Sequence, residues 1–203
     1  MKQNNLKAIG ITGGVGCGKS AIMGYLKDNY NCEIILADNA AHDVKMKGTS
    51  CYNKLVNLLG KEVLDADGEI DKAKMAAIIF SDACILKQVN DIIHPEVKQY
   101  IIERIATLRR EGEVKFFFLE AALLIEDNYS EILDEIWYIY ASEDTRRNRL
   151  KISRNYSDEK IDSIMKNQLS EEEFRKHCQF VIDNDKDLSN TYMQLKIKLE
   201  GYL

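Results

Sequence analysis

The chain has 203 residues, of which 45% are hydrophobic and 30% charged, and a formal net charge of −5. That length suits one α/β domain with insertions, or one domain plus a small second one, and the composition is that of an ordinary globular protein. The acidic balance and the lack of a dense basic stretch exclude a nucleic-acid footprint, and no apolar run approaches the ~18 residues of a membrane span. Met1–Asn5 leads straight into a strand, so no leader peptide is expected and the cytoplasm is the expected compartment. Cysteines stand at positions 17, 32, 51, 84 and 178. None forms a C-x-x-C pair and their number is odd, so free thiols are expected. His42, His94 and His177 lack metal-ligand spacing, which argues against a zinc site.

In chain order, the apolar run 6–12 reads as a buried strand that ends in glycines. It opens directly into Gly13-Gly14-Val15-Gly16-Cys17-Gly18-Lys19-Ser20, which fits the phosphate-loop pattern G-x-x-x-x-G-K-[ST]. Ile22, Tyr25 and Leu26 then recur at i, i+3, i+4, the face of a helix. Strand, glycine loop and helix is the arrangement in which backbone N–H groups and the positive end of a helix wrap phosphates. The expected nucleotide-binding set is Gly14, Val15, Gly16, Cys17, Gly18, Lys19, Ser20 and Ala21. Lys19 is expected on the β- and γ-phosphates, and the Ser20 hydroxyl on Mg²⁺. Cys17 either has its thiol acidified by the helix N-terminus or simply fills the loop as a small residue.

Residues 32–38 read as a second strand ending in a carboxylate. Ligand sites of open α/β sheets lie beyond the carboxyl ends of strands, which favours a functional Asp38; an N-cap role for the same aspartate is an equal alternative. The stretch from Asn39 to Arg110 reads as mostly helical. Gly60 is a candidate helix stop, Asp65-Ala66-Asp67-Gly68 a turn and Asp71 the cap of a helix over 72–80. The long periodic stretch 85–108 contains Pro95, the sole proline, where a kink or break is expected. A region this long exceeds a simple βα connection, so it is expected to be an inserted helical subdomain. His94 is either a substrate contact or a hydrogen-bonded kink residue. Residues 114–119 form a dense apolar run, as in a central strand buried on both faces. Residues 135–140 read as another strand, followed by a helix from Glu143 to about Ile152 carrying Arg146, Arg147 and Arg149, with Arg154 beyond it. Clustered arginines suit polyphosphate, although a solvated face paired with acids is the expected explanation for Arg146 and Arg147. Ser157 and Ser170 open two further helices, 178–183 is a last strand and 188–203 a final amphipathic helix. Strands and helices alternating around one phosphate loop argue for a parallel sheet with helices on both faces.

These residues together resemble the dephospho-coenzyme A kinase family of P-loop kinases. The resemblance is carried by 11–20, Ala37-Asp38, Gly68-Glu69-Ile70-Asp71-Lys72, Ile93-His94-Pro95, Leu123-Leu124-Ile125-Glu126, Arg149, Arg154, Gln168 and Val181-Ile182-Asp183-Asn184. It covers nearly the whole chain. It implies a three-layer fold with a five-stranded parallel sheet in the order 2-3-1-4-5. By the same resemblance, residues 1–203 are one kinase domain: a core of 1–38, 111–141 and 178–203, a helical CoA-binding insert at about 39–110, and a lid at about 142–177. The implied reaction moves the γ-phosphate of ATP to the ribose 3′-hydroxyl of dephospho-CoA. Asp38 matches the family's proposed catalytic base and Arg149 a lid arginine that contacts phosphate, with Lys19 completing the catalytic set. His94 and Lys72, with Asp38, are the expected substrate contacts. ATP with Mg²⁺ and dephospho-CoA are the implied partners, and a monomer or weak homo-oligomer is expected, without nucleic acid or membrane. The sequence departs from the family pattern in four places. Leu36 replaces the first aspartate of Asp-Ala-Asp, Glu120-Ala121-Ala122 replaces Asp-x-Pro, Lys72 replaces an arginine, and Arg154 lies one residue further from Arg149. The rival readings are another P-loop kinase of nucleosides, nucleotides or other small molecules, and a nucleotide-binding regulatory module.

Overall fold

The computed structural model describes residues 6–203; Met1–Asn5, on which the leader expectation falls, lie outside the described residues. In chain order the elements are β1 (Lys7–Thr12), α1 (Lys19–Asn29), β2 (Cys32–Leu36), α2 (Ala37–Asp43), α3 (Ser50–Leu59), α4 (Lys72–Ser81) and α5 (Ala83–Glu111). There follow β3 (Phe116–Glu120), β4 (Glu135–Tyr140), α6 (Glu143–Arg154), α7 (Asp158–Lys166), α8 (Glu171–His177), β5 (Phe180–Asp183) and α9 (Leu188–Glu200). The strands form one five-stranded sheet in the order β2-β3-β1-β4-β5, as expected. β1 pairs in parallel with β3 (Ile9 opposite Phe118) and with β4 (Ile11 opposite Trp137), and β4 pairs with β5 (Ile139 opposite Ile182). Every residue from Phe116 to Leu119 is at most 2% exposed, so both faces of β3 are covered, as the apolar run predicts.

The chain forms two compact units: one holds residues up to Ile35 together with Leu108–Leu203, the other Leu36–Thr107. The core of the first takes in Ile9, Ile11, Ile22, Leu26, Phe117, Trp137, Leu195 and Leu199, all fully buried. Each such side chain contributes about 1.5–3 kcal/mol through removal from water. The second unit has its own core of Cys51, Leu55, Leu59, Val63, Met75 and Val89, with Ile70, Ile78 and Ile92 packed against it.

Three local expectations change. β2 stops at Leu36, and Asp38 lies in the first turn of α2, a helix whose N-cap is Leu36 and which has no side-chain cap bond. Asp38 is therefore not an N-cap. Ala37, Ala40 and Ala41 are strong helix formers, which brings the helix start forward. α5 runs unbroken through Pro95. Val89, Val97, Ile101, Ile105 and Leu108 are all buried, at spacings that hold one helical face across the proline. Their combined burial outweighs the ~3 kcal/mol cost of an internal proline. α6 continues two residues beyond Ile152 to Arg154, and Asn155 closes it in the left-handed region at φ 50°.

Candidate phosphate-binding site

Gly18 is the N-cap of α1 at φ 96°, with no side-chain cap bond and no acidic residue in the first turn. The helices with polar caps differ: Thr49, Asp71, Ser142, Ser157, Ser170 and Asp187 each accept a hydrogen bond from the first turn of their helix. The start of α1 thus keeps the Lys19 and Ser20 N–H groups and the positive dipole end available to an anion, while the Ala21 N–H donates to the Gly18 carbonyl at 3.1 Å. A Cβ at Gly18 would fall 2.3 Å from Asn184 Nδ2. Backbone sign and lack of space both demand glycine there.

Lys19 Nζ donates to the Gly13 carbonyl at 2.7 Å and stands 3.9 Å from the Glu120 carboxylate at the end of β3. Ser20 and Ala21 are exposed on the first turn of α1. Cys17 is 1% exposed, and burial pushes its thiol up although Lys19 and Arg146 oppose the shift. The acidified-thiol alternative is thereby removed, and Cys17 is a small buried residue of the loop. All five cysteines are free.

Two arginines of α6 reach the loop. Arg149 donates from Nη1 to the Cys17 carbonyl (3.3 Å) and from Nη2 to the Asn184 carbonyl (2.9 Å). Asn184 Nδ2 also donates to the Cys17 carbonyl at 2.7 Å, and its Oδ1 accepts from Thr191 Oγ1 at 2.9 Å. Asn184 and Thr191 are fully buried, so β5, α9 and α6 hold the underside of the loop through one satisfied polar network. Arg146, three residues before Arg149 and one turn away, donates from Nε to the Val15 carbonyl at 2.9 Å. Its Nη2 donates to Gln168 Oε1 at 2.6 Å, and that oxygen also accepts from the Val15 N–H at 3.2 Å. The surface-pairing explanation holds for Arg147, which bonds Glu143, Asp158 and Asp162 at 2.9, 2.9 and 2.6 Å. It fails for Arg146. Gly14 has no positive φ, but a Cβ there would fall 2.4 Å from the Arg146 guanidinium carbon, so a larger residue would push that guanidinium aside. From sequence alone, Asn184 enters only among the residues that carry the resemblance and Arg146 is assigned to a solvated face; neither is given a role at the loop. Spacing from Arg149 on one helix face was the available signal for Arg146.

The second unit gathers other expected residues. Asp38 is exposed in the first turn of α2 and Lys72 is exposed in the first turn of α4. Lys45 stands between their influences: burial pushes its ammonium down, with Cys51 opposing, Lys72 adding to the shift and Asp38 opposing it. His94 is half-buried in the middle of α5.

Among the described residues no group of His, Cys, Asp and Glu is arranged to hold a metal by protein ligands alone, and no helix is long and apolar enough to cross a membrane. An exposed hydroxyl at Ser20 and the Glu120 carboxylate nevertheless suit Mg²⁺, which takes few protein ligands and draws the rest from phosphates and water.

The dephospho-CoA kinase family model matches residues 7–190. A dephospho-CoA kinase of Streptococcus mutans is 35% identical over 193 residues, covering 95% of this chain and 96% of that protein. One from Carboxydothermus hydrogenoformans is 34% identical, with 97% and 95% covered. Among solved structures, TT1252 from Thermus thermophilus superposes with a TM-score of 0.77 at 28% identity, covering 97% of this chain and 98% of that one. A shikimate kinase from Bacteroides thetaiotaomicron, at TM-score 0.57 and 13% identity over 96% and 98% of the two chains, shares the fold alone. A phosphate loop on this sheet is common to many kinases, but likeness that runs from β1 into α9 is not. The chain belongs to the dephospho-CoA kinase family and is an ATP-dependent phosphotransferase.

Proposed function

We propose that this chain transfers the γ-phosphate of ATP to the ribose 3′-hydroxyl of dephospho-CoA, giving coenzyme A and ADP, with Mg²⁺ accompanying the nucleotide. The family match across 7–190, joined to a phosphate loop whose helix start carries no side-chain cap, supports the reading most directly. Phosphoryl transfer needs in-line placement and neutralised charge more than covalent chemistry. The amides from Gly14 to Ala21 would wrap the triphosphate, and Lys19 would offer its ammonium to the β- and γ-oxygens. Ser20 and Glu120 are the groups that would hold Mg²⁺, which would supply positive charge against the phosphates. Arg149 would add a guanidinium above the loop. Asp38 is exposed and not used as a cap, which suits a base that accepts the hydroxyl proton. Lys72 and His94 are assigned to the acceptor. By function, the chain divides into the core of 1–38, 111–141 and 178–203, the acceptor-binding insert of about 39–110 and the lid of about 142–177.

A coupled assay of ADP formation across dephospho-CoA, nucleosides and pantetheine compounds tests this. Dephospho-CoA alone should support turnover, with a 3′-phosphorylated product by mass spectrometry. Turnover with nucleosides and none with dephospho-CoA would overturn the acceptor assignment. ATP hydrolysis indifferent to every acceptor would point to a regulatory module instead.

A further inference from the structure

Gln168 lies between α7 and α8, far in sequence from the phosphate loop, yet its Oε1 accepts from a loop amide and from a guanidinium together. The donors are the Val15 N–H at 3.2 Å and Arg146 Nη2 at 2.6 Å. A phosphate oxygen bound by a P-loop kinase receives the same two kinds of donor, a backbone N–H and a cation. Arg146 is fixed for this purpose. Its Nε is tied to the Val15 carbonyl at 2.9 Å and its guanidinium lies against Gly14, where a Cβ would collide at 2.4 Å. It is half-buried and forms no ion pair with a carboxylate among the described residues, in contrast to Arg147, which has three. A part-buried cation without a counter-ion beside a phosphate loop is strongly biased toward an anion.

We propose that Arg146 and the Val15 N–H form the seat of a terminal phosphate oxygen of the nucleotide, and that the Gln168 side chain is the exchangeable occupant of that seat. The inference rests on the ATP-dependent kinase reading and adds to it a residue whose contact distinguishes ATP from ADP. A phosphate oxygen brings a negative charge that the amide oxygen lacks: it makes the Val15 N–H bond charge-assisted and turns the Arg146 bond, already charge-assisted on the donor side, into a cation–anion contact, so exchange runs toward the nucleotide. Displacing Gln168 frees the segment between α7 and α8 from the loop. Arrival of the terminal phosphate is thereby coupled to release of that segment.

Calorimetric titration of the full chain with ADP and with a non-hydrolysable ATP analogue tests the proposal. Arg146→Met should weaken binding of the ATP analogue about 10-fold or more and that of ADP less than about 3-fold, since only ATP carries the terminal phosphate. Gln168→Ala should leave the ATP analogue bound at least as tightly as wild type, because it removes a competitor. Equal losses for both nucleotides in Arg146→Met would overturn the proposal, as would Gln168→Ala weakening the ATP analogue as much as Arg146→Met does. Either result would make the pair a brace for the loop. Should Arg146→Met lower the melting temperature markedly, Arg146→Lys decides the matter: a smaller loss confined to the ATP analogue supports the seat, and an equal loss for ADP refutes it. Wild-type protein that binds neither nucleotide would instead refute the kinase reading itself.

Discussion

The charged residues around the phosphate loop and those expected at the acceptor are held in opposite ways. Around the phosphate loop they are already committed: Lys19 to Gly13, Arg149 to Cys17 and Asn184, Arg146 to Val15 and Gln168. In the second unit Asp38 and Lys72 are exposed, with no hydrogen bond from either side chain among the described residues. Lys45 is half-buried beside them. A site that stabilises developing charge benefits from dipoles fixed in advance. A site that receives a long, flexible acceptor can leave its charges in water until the acceptor supplies the partners. On the proposed assignment of Asp38 and Lys72 to the acceptor, the loop is preorganised and the acceptor side responsive.

The sharpest way to break this contrast is Lys19→Ala. If the loop is preorganised around phosphate, turnover should fall by about 10²-fold or more, because one fixed charge at the transferring group is removed. Lys19 opens α1 outside the apolar core, its side chain 15% exposed, so the melting temperature should move far less than turnover. Near-normal turnover would remove the loop from the chemistry. Asp38→Asn probes the responsive side. Asparagine keeps the shape but cannot take a proton, so kcat should drop by roughly 10²-fold while ATP binding stays intact. Wild-type turnover in this variant would show that Asp38 is not the base, and Glu120, at the end of β3, would be the next carboxylate to replace.

How far the sequence reveals each region follows the same line. The sheet order and the loop were legible because strand, glycines and helix are contiguous, and the combination of motifs matched one family. Asn184 and Arg146 were not legible as loop partners, because their hydrogen bonds to the loop close over sequence separations of 167 and 131 residues. Charge clustering on α6 gave the same signal for Arg146 as for Arg147; the i, i+3 spacing from Arg149 was the one hint favouring Arg146, and the fold sets it over the loop and Arg147 among acids. Asp38 was ambiguous between cap and base because Asp favours helix starts of any kind, and the extra helical residue Ala37 settled its position. Pro95 misled for a different reason: its local cost was weighed without the buried face of α5, which continues on both sides of it.

A milder test of the preorganised side is Arg149→Lys. Lysine keeps the charge but cannot bond the Cys17 and Asn184 carbonyls with a planar fork. The loop should then loosen, lowering kcat by about 10-fold with a smaller rise in KM for ATP. A change in KM alone would make Arg149 a binding group that serves ground state and transition state equally.

The smallest expected effect lies in the first unit but outside the chemistry. Glu135 opens β4, and its carboxylate meets Lys7 at 3.2 Å, Lys198 at 3.1 Å, Trp137 Nε1 at 2.9 Å and Tyr202 Oη at 2.5 Å. Burial pushes this carboxyl up, but the hydrogen bonds from Tyr202, Trp137, Lys198 and Lys7 outweigh it and hold the group down at about 2, against an ordinary 4.5. A carboxyl depressed in the folded state gives stability that is fully present above its unfolded pKa and is lost as pH falls toward the folded one. The window is thus about 4.5 down to about 2. The contribution is on the order of 2 kcal/mol at neutral pH, a shift of several degrees in melting temperature for a chain of this size. Glu135→Gln should melt lower than wild type at pH 7, and the gap should narrow steadily as both are titrated from pH 5 to pH 3. A gap that stayed constant over that range would mean that the carboxylate's charge is not what ties α9 to the start of β4. Packing of Tyr202 against Phe116, whose rings lie 6.4 Å apart, would then be the main attachment of the C-terminal turn.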